Sequence, residues 1–205
     1  MQPTHEPMNA SLHILGCIGA LMGSVLLIVH ASLQQHALRI VAYSIYGATL
    51  CLLFFASALH HSVAAHTSSK KKLLAFDQIG VFLLIMGTFI PFGLLHTPTA
   101  LGWSIIGVVV AVCLTGIVLR LYLSTPWLLQ VLYVGAGWLG VLFIPYLPLP
   151  SALFLVGGGV LYTIGAFIYG LKKPNIHPLC DHHALWHLLV IGGASMHWVA
   201  LFLLA

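Results

Sequence analysis

Charge is almost missing from this chain. Of its 205 residues, 5% are Asp, Glu, Lys or Arg, against roughly a quarter in a soluble globular domain. A surface that poor in charge excludes an ordinary soluble enzyme, and the apolar content that replaces it excludes a disordered segment. Acids are the scarcest, with only Glu6, Asp77 and Asp181. No Cys-x-x-Cys occurs, and Cys17, Cys51, Cys113 and Cys180 lie far apart. That excludes a disulfide-stapled module, and no disulfide is expected. Three of the four fall inside apolar runs, where a thiol packs as a small hydrophobe. A basic n-region is lacking as well. Glu6 precedes the first apolar run, so the start does not read as a signal peptide, and Ile14-Leu15-Gly16-Cys17 is read as a chance likeness to a lipoprotein cleavage site.

What is present is hydrophobicity. Apolar residues make up 60% of the chain, and the mean hydropathy is +1.07. No Asp, Glu, Lys or Arg interrupts the stretches between Glu6 and Arg39, between Arg39 and Lys70, or over 78–119, 121–171 and 182–205. A spanning helix needs about 20 mostly apolar residues. The stretch 78–119 holds two, split at His96-Thr97-Pro98, and 121–171 holds two more, split at the prolines Pro145, Pro148 and Pro150. The expectation is an all-α bundle of seven transmembrane helices, over roughly 12–32, 39–60, 73–95, 99–121, 126–146, 150–171 and 182–204, in one membrane domain covering 1–205. Period-two alternation is absent, which argues against a membrane β-barrel. Gly16, Gly19 and Gly23, and Gly157, Gly158 and Gly159, supply the small residues through which helices pack in lipid.

Seven bases against three acids give a net charge of +4. These charges sit at the ends of apolar runs and form no basic face, so no nucleic-acid partner is expected. Lys70, Lys71, Lys72, Arg120, Lys172 and Lys173 fall on one side of the predicted bundle and Arg39 alone on the other. Positive residues favour the cytoplasmic side. The N-terminus is therefore expected inside and the C-terminus outside.

All three acids fall on that same predicted side. An ionisable residue at membrane depth is costly and marks a functional candidate. Asp77 is the best placed, about one turn inside the third span after Leu73-Leu74-Ala75-Phe76. As a plain structural residue it would only solvate the helix start and complement its dipole. Histidine is abundant, with 13 residues. His60, His61 and His66 close the second span, and His177, His182, His183 and His187 open the seventh. His183 and His187 are four apart and share a helix face, a spacing by which two imidazoles grip one metal ion. Ser57 and His61 share a face of the second span in the same way. Three histidines with a carboxylate or water suit Zn²⁺. His60 and His182 are expected to point about 100° away from their neighbours. His5 and His66 are expected to be solvated, and His30, His36 and His96 to sit at the outer ends. His177, Cys180 and Asp181 remain competing loop ligands, ranked below the helix pair.

At these residues the chain resembles the hemolysin III family, the bacterial branch of the progestin and adipoQ receptor superfamily. Glu6, Asn9 and His13 fit the opening motif, and Ser57-Ala58-Leu59-His60-His61 fits Ser-x-x-x-His. Asp77 followed by the run from Phe82 to Phe92 fits the third-span motif, and Gly137-Trp138-Leu139 is also familial. His183-Ala184-Leu185-Trp186-His187, with Gly192, Gly193 and His197, matches the closing motif. The resemblance implies a seven-helix bundle in a bacterial inner membrane with a cytoplasmic N-terminus. It implies zinc held by His61, His183 and His187, Asp77 on the water and Ser57 behind the ligands. His60 stands where the family commonly has Tyr, and a His- and Cys-rich loop precedes the closing motif.

Two functions compete. One is a zinc hydrolase of a lipid amide or ester, similar to ceramidases, with Asp77 as general base and Ser57 orienting water. The other is a non-enzymatic membrane receptor or regulator in which zinc is structural. A pore is disfavoured by the lack of a charged lining, and a transporter by ionisable groups that cluster at one face. Membrane lipid is the expected substrate or ligand.

Overall fold

The computed structural model describes residues 6–64, 67–122, 125–177 and 180–205; His5 and His66 lie outside them. The chain forms helices α1 (Pro7–Leu33), α2 (Ala37–Ser62), α3 (Ser69–Leu95), α4 (Thr99–Tyr122), α5 (Pro126–Trp138), α6 (Leu149–Leu171) and α7 (His182–Phe202). A 3₁₀ segment, Leu139–Tyr146, extends α5. Among the described residues, seven helical segments are long and apolar enough to cross a membrane. None forms a strand, and His177 and Cys180 make only an isolated backbone bridge. The four cysteines are free thiols.

Connections this short force successive helices to lie side by side. α1 packs on α2, α2 on α3, α3 on α4 and α6 on α7, while α7 also returns to α1. The core is aromatic, with Tyr43, Tyr46, Phe82, Phe89, Phe92 and Phe143 fully enclosed. Leu15, Met22, Trp103, Trp127, Leu149 and Phe167 point outward and are exposed. Apolar residues lining the outside of several helices fit a lipid solvent, where they carry no hydrophobic penalty. Close helix approach uses glycine at defined points. A Cβ at Gly102 would collide with the Gly93 carbonyl between α3 and α4, and one at Gly158 would enter the His197 ring between α6 and α7.

Three boundaries differ from the hydropathy reading. α1 begins at Pro7, five residues ahead of the expected start at 12, with Pro7 in its first turn. α3 begins at Ser69, before the lysines, so Asp77 lies about two turns inside the helix. Lysine is a good helix former, and Lys70 has a task there: its Nζ donates to the carbonyls of His60 (2.8 Å) and Val63 (3.3 Å) at the end of α2. The fifth span is α-helical only to Trp138. Beyond it the chain tightens to 3₁₀ geometry around Pro145, which has no amide to donate.

Candidate metal centre

One end of the bundle gathers the chemistry-bearing side chains. The last turns of α2 bring Ser57, His60 and His61, all buried. The first turns of α7 bring His183 and His187. Asp181 starts that helix as its N-cap, its Oδ1 accepting from the amides of His183 (3.0 Å) and Ala184 (2.9 Å). This cap fixes the register from which His183 and His187 project along one face. α3 supplies Asp77, and the start of α1 supplies Glu6, Asn9 and His13.

His61, His183 and His187 each offer a ring nitrogen within 4.8 Å of the others. The Nε2 atoms of His61 and His187 face each other at 3.1 Å. Two imidazole lone pairs so close repel unless a proton or a cation lies between them, so this donor set fits a metal ion. Neutral imidazole is also the ligand type that zinc accepts. Asp77 does not join this trio. It forms a second group with His60 and His61, again within 4.8 Å, and faces the Ser57 hydroxyl. His60 is displaced from the trio, as its place next to His61 predicts. It is nevertheless buried beside Asp77, with an Nδ1 that has no partner.

The loop candidates are engaged otherwise. Asp181 is the helix cap, and His182 Nδ1 pairs with Asn175 Oδ1 at 2.9 Å. His177 and Cys180 are joined through their backbones. Among the described residues, none of these belongs to a ligand group.

Glu6 and His13 are the contributors for which sequence reasoning assigned no role. Glu6 Oε2 lies 2.6 Å from His61 Nδ1 and 3.8 Å from His183 Nδ1. It also accepts from Asn9 Nδ2 at 3.1 Å, and its Oε1 lies 3.6 Å from Lys70 Nζ. The His61 hydrogen bond, against the opposing effect of burial, holds the Glu6 carboxyl well below the usual carboxylate range. His13 is fully buried, and its Nε2 lies 2.5 Å from His187 Nδ1. The signal was present as the spacing Glu6, Asn9, His13, which puts the three on one face where α1 begins.

A cavity of about 410 Å³ opens from this cluster. His61, His183, His187, Asp77 and Ser57 line one end, and mostly apolar residues of α3, α5, α6 and α7, with Gln78, Thr88, Gln130 and Thr163 among them, line the rest. His197 lies at the far end, where its Nε2 meets the Leu155 carbonyl at 3.1 Å. Lys70 and Lys71 also border the cavity.

The chain is similar to known proteins along nearly its whole length. The family model described as Haemolysin-III related matches residues 1–198. "Hemolysin-3" of Bacillus cereus is 32% identical over 199 residues, covering 93% of this chain and 87% of that protein. "Hemolysin-3 homolog" of Bacillus subtilis (strain 168) is 33% identical over 204 residues, 96% of this chain and 93% of that protein. "Adiponectin receptor protein" of Drosophila melanogaster is 23% identical over 235 residues, 94% of this chain and 49% of the receptor.

Proposed function

Because the chain belongs to the Haemolysin-III related family of integral membrane proteins, we propose that it is a zinc-dependent hydrolase of a lipid amide or ester. The observation that supports this most is the three-histidine cluster opening on a cavity that Asp77 and Ser57 also line. His61, His183 and His187 would hold the ion. When bound, zinc supplies a Lewis acid and lowers the pKa of water to about 7. The protein's own groups do the rest. The Asp77 carboxylate takes a proton from water at the cavity end and returns it to the departing amine or alcohol. The Ser57 hydroxyl, beside that carboxylate, holds it in place and orients the water. The apolar wall accepts an acyl chain and keeps bulk water out. Six of the seven bases flank the site's end of the bundle, so the site faces the cytoplasmic leaflet of a bacterial inner membrane.

A receptor or regulator with structural zinc is the second reading, favoured by the likeness to a protein named as an adiponectin receptor. Turnover separates the two. Purified wild type in bilayers should cleave a sphingolipid or phospholipid amide or ester, and Asp77→Asn should do so about 10²–10⁴-fold more slowly while keeping its zinc. The double change His183→Ala, His187→Ala should lose most of the zinc. Zinc-loaded wild type inert on every such lipid would shift the assignment to the regulator.

A further inference from the structure

We propose that Glu6 and His13 are positioning residues that fix the tautomers of His61 and His187, two of the three metal-binding histidines, so that the start of α1 is a clip on the site. The inference rests on the metal reading above. A neutral imidazole has one proton and one lone pair, so a histidine that offers Nε2 to an ion must carry its proton on Nδ1. That Nδ1–H is buried here and needs an acceptor.

The Nδ1 atoms of His61 and His187 are met at hydrogen-bond distance by the same helical face, and that of His183 only by the Glu6 charge. Glu6 Oε2 stands 2.6 Å from that of His61 and 3.8 Å from that of His183. His13 Nε2 stands 2.5 Å from that of His187. A carboxylate can only accept, so the Glu6 contact puts the His61 proton on Nδ1 and leaves its Nε2 lone pair facing His187. If His187 is also to offer Nε2, its Nδ1–H must donate to His13 Nε2. The His13 proton then sits on Nδ1, the nitrogen that has no partner in the protein. Asn9 completes the clip by donating to Glu6 Oε2 at 3.1 Å. Partners of this kind orient metal-binding histidines and raise their basicity, and their loss costs about 10–100-fold in metal affinity.

Zinc dissociation constants of detergent-purified wild type, Glu6→Gln and His13→Phe, measured against a competing chelator well below their melting temperatures, test this. Glu6→Gln keeps the shape but removes the charge, and His13→Phe keeps a ring but removes the acceptor. Each should weaken zinc about 10–100-fold. The metal-free melting temperature of His13→Phe should fall little, because the partner lost by His187 Nδ1 is offset by removal of the unpartnered His13 Nδ1. Wild type without zinc affinity would overturn the metal reading and this inference together. Zinc bound by wild type and equally tightly by both variants would overturn this inference alone. A lowered melting temperature with an unchanged zinc constant would overturn it as well, by assigning both residues to the fold.

Discussion

At the scale of single residues, histidine plays different roles at the two ends of the bundle. His61 and His187 are buried among other imidazoles with their Nε2 atoms facing. His96, just past the end of α3, is solitary, with a buried Nε2 and no partner. Burial, helped by the nearby Arg39 charge, lowers its pKa from 6.5 to about 4. Between those two values the unfolded chain binds a proton that the folded chain refuses, so stability rises with pH across this window. As pH falls from 6.5 towards 4, wild type should lose melting temperature, with the His96 contribution levelling off below about 4. His96→Leu should lose less over the same range. Melting curves of both proteins at matched pH values check this, and parallel profiles would show that His96 does not titrate as described. The sequence placed His96 at an outer end but held no sign of its burial, because burial depends on which neighbours close over it.

At the scale of elements, α7 shows how a loop residue sets a site. Asp181 was a candidate ligand by composition, but its carboxylate is committed to the amides of His183 and Ala184. An N-cap of this kind contributes roughly 1 kcal/mol. Asp181→Ala should lower stability by about that amount, and Asp181→Asn, which can still cap, should recover most of it. Equilibrium unfolding in detergent measures both. Equal destabilisation by Ala and Asn would remove the cap as the cause. The His183–His187 spacing was legible without a structure, since helical period alone puts residues four apart on one face. Spacing alone does not set their partner from α2. His60 and His61 are adjacent, and only the rotation of α2 against α7 turns His61 towards the trio and leaves His60 beside Asp77.

At the scale of the whole molecule, the charged residues decide how the bundle stands in the membrane. With Lys70, Lys71, Lys72, Arg120, Lys172 and Lys173 against Arg39, the end that carries the histidine cluster should face the cytoplasm. A reporter fused after Ala205 should then read as external, and one inserted beside Lys72 as cytoplasmic. Both reporters on one side would contradict a chain that crosses the membrane seven times. The same organisation explains the exposed Leu15, Trp103 and Phe167. These side chains would be a liability in water and are ordinary in lipid.

Hydropathy determined the number and order of the helices, because the bilayer requires each crossing to satisfy its own backbone hydrogen bonds within a long apolar run. Helical period determined the pairing of His183 with His187, and charge asymmetry determined the expected orientation. The tertiary structure alone decided that His61 belongs to both groups while His60 joins only the one with Asp77, and it alone placed Glu6 and His13 against the imidazoles. Those features depend on the rotation and contact of helices distant in sequence, for which Glu6 and His61, or His13 and His187, carry no mutual signal along the chain. They are set by side-chain packing between α1, α2 and α7, which exists only once the bundle has closed.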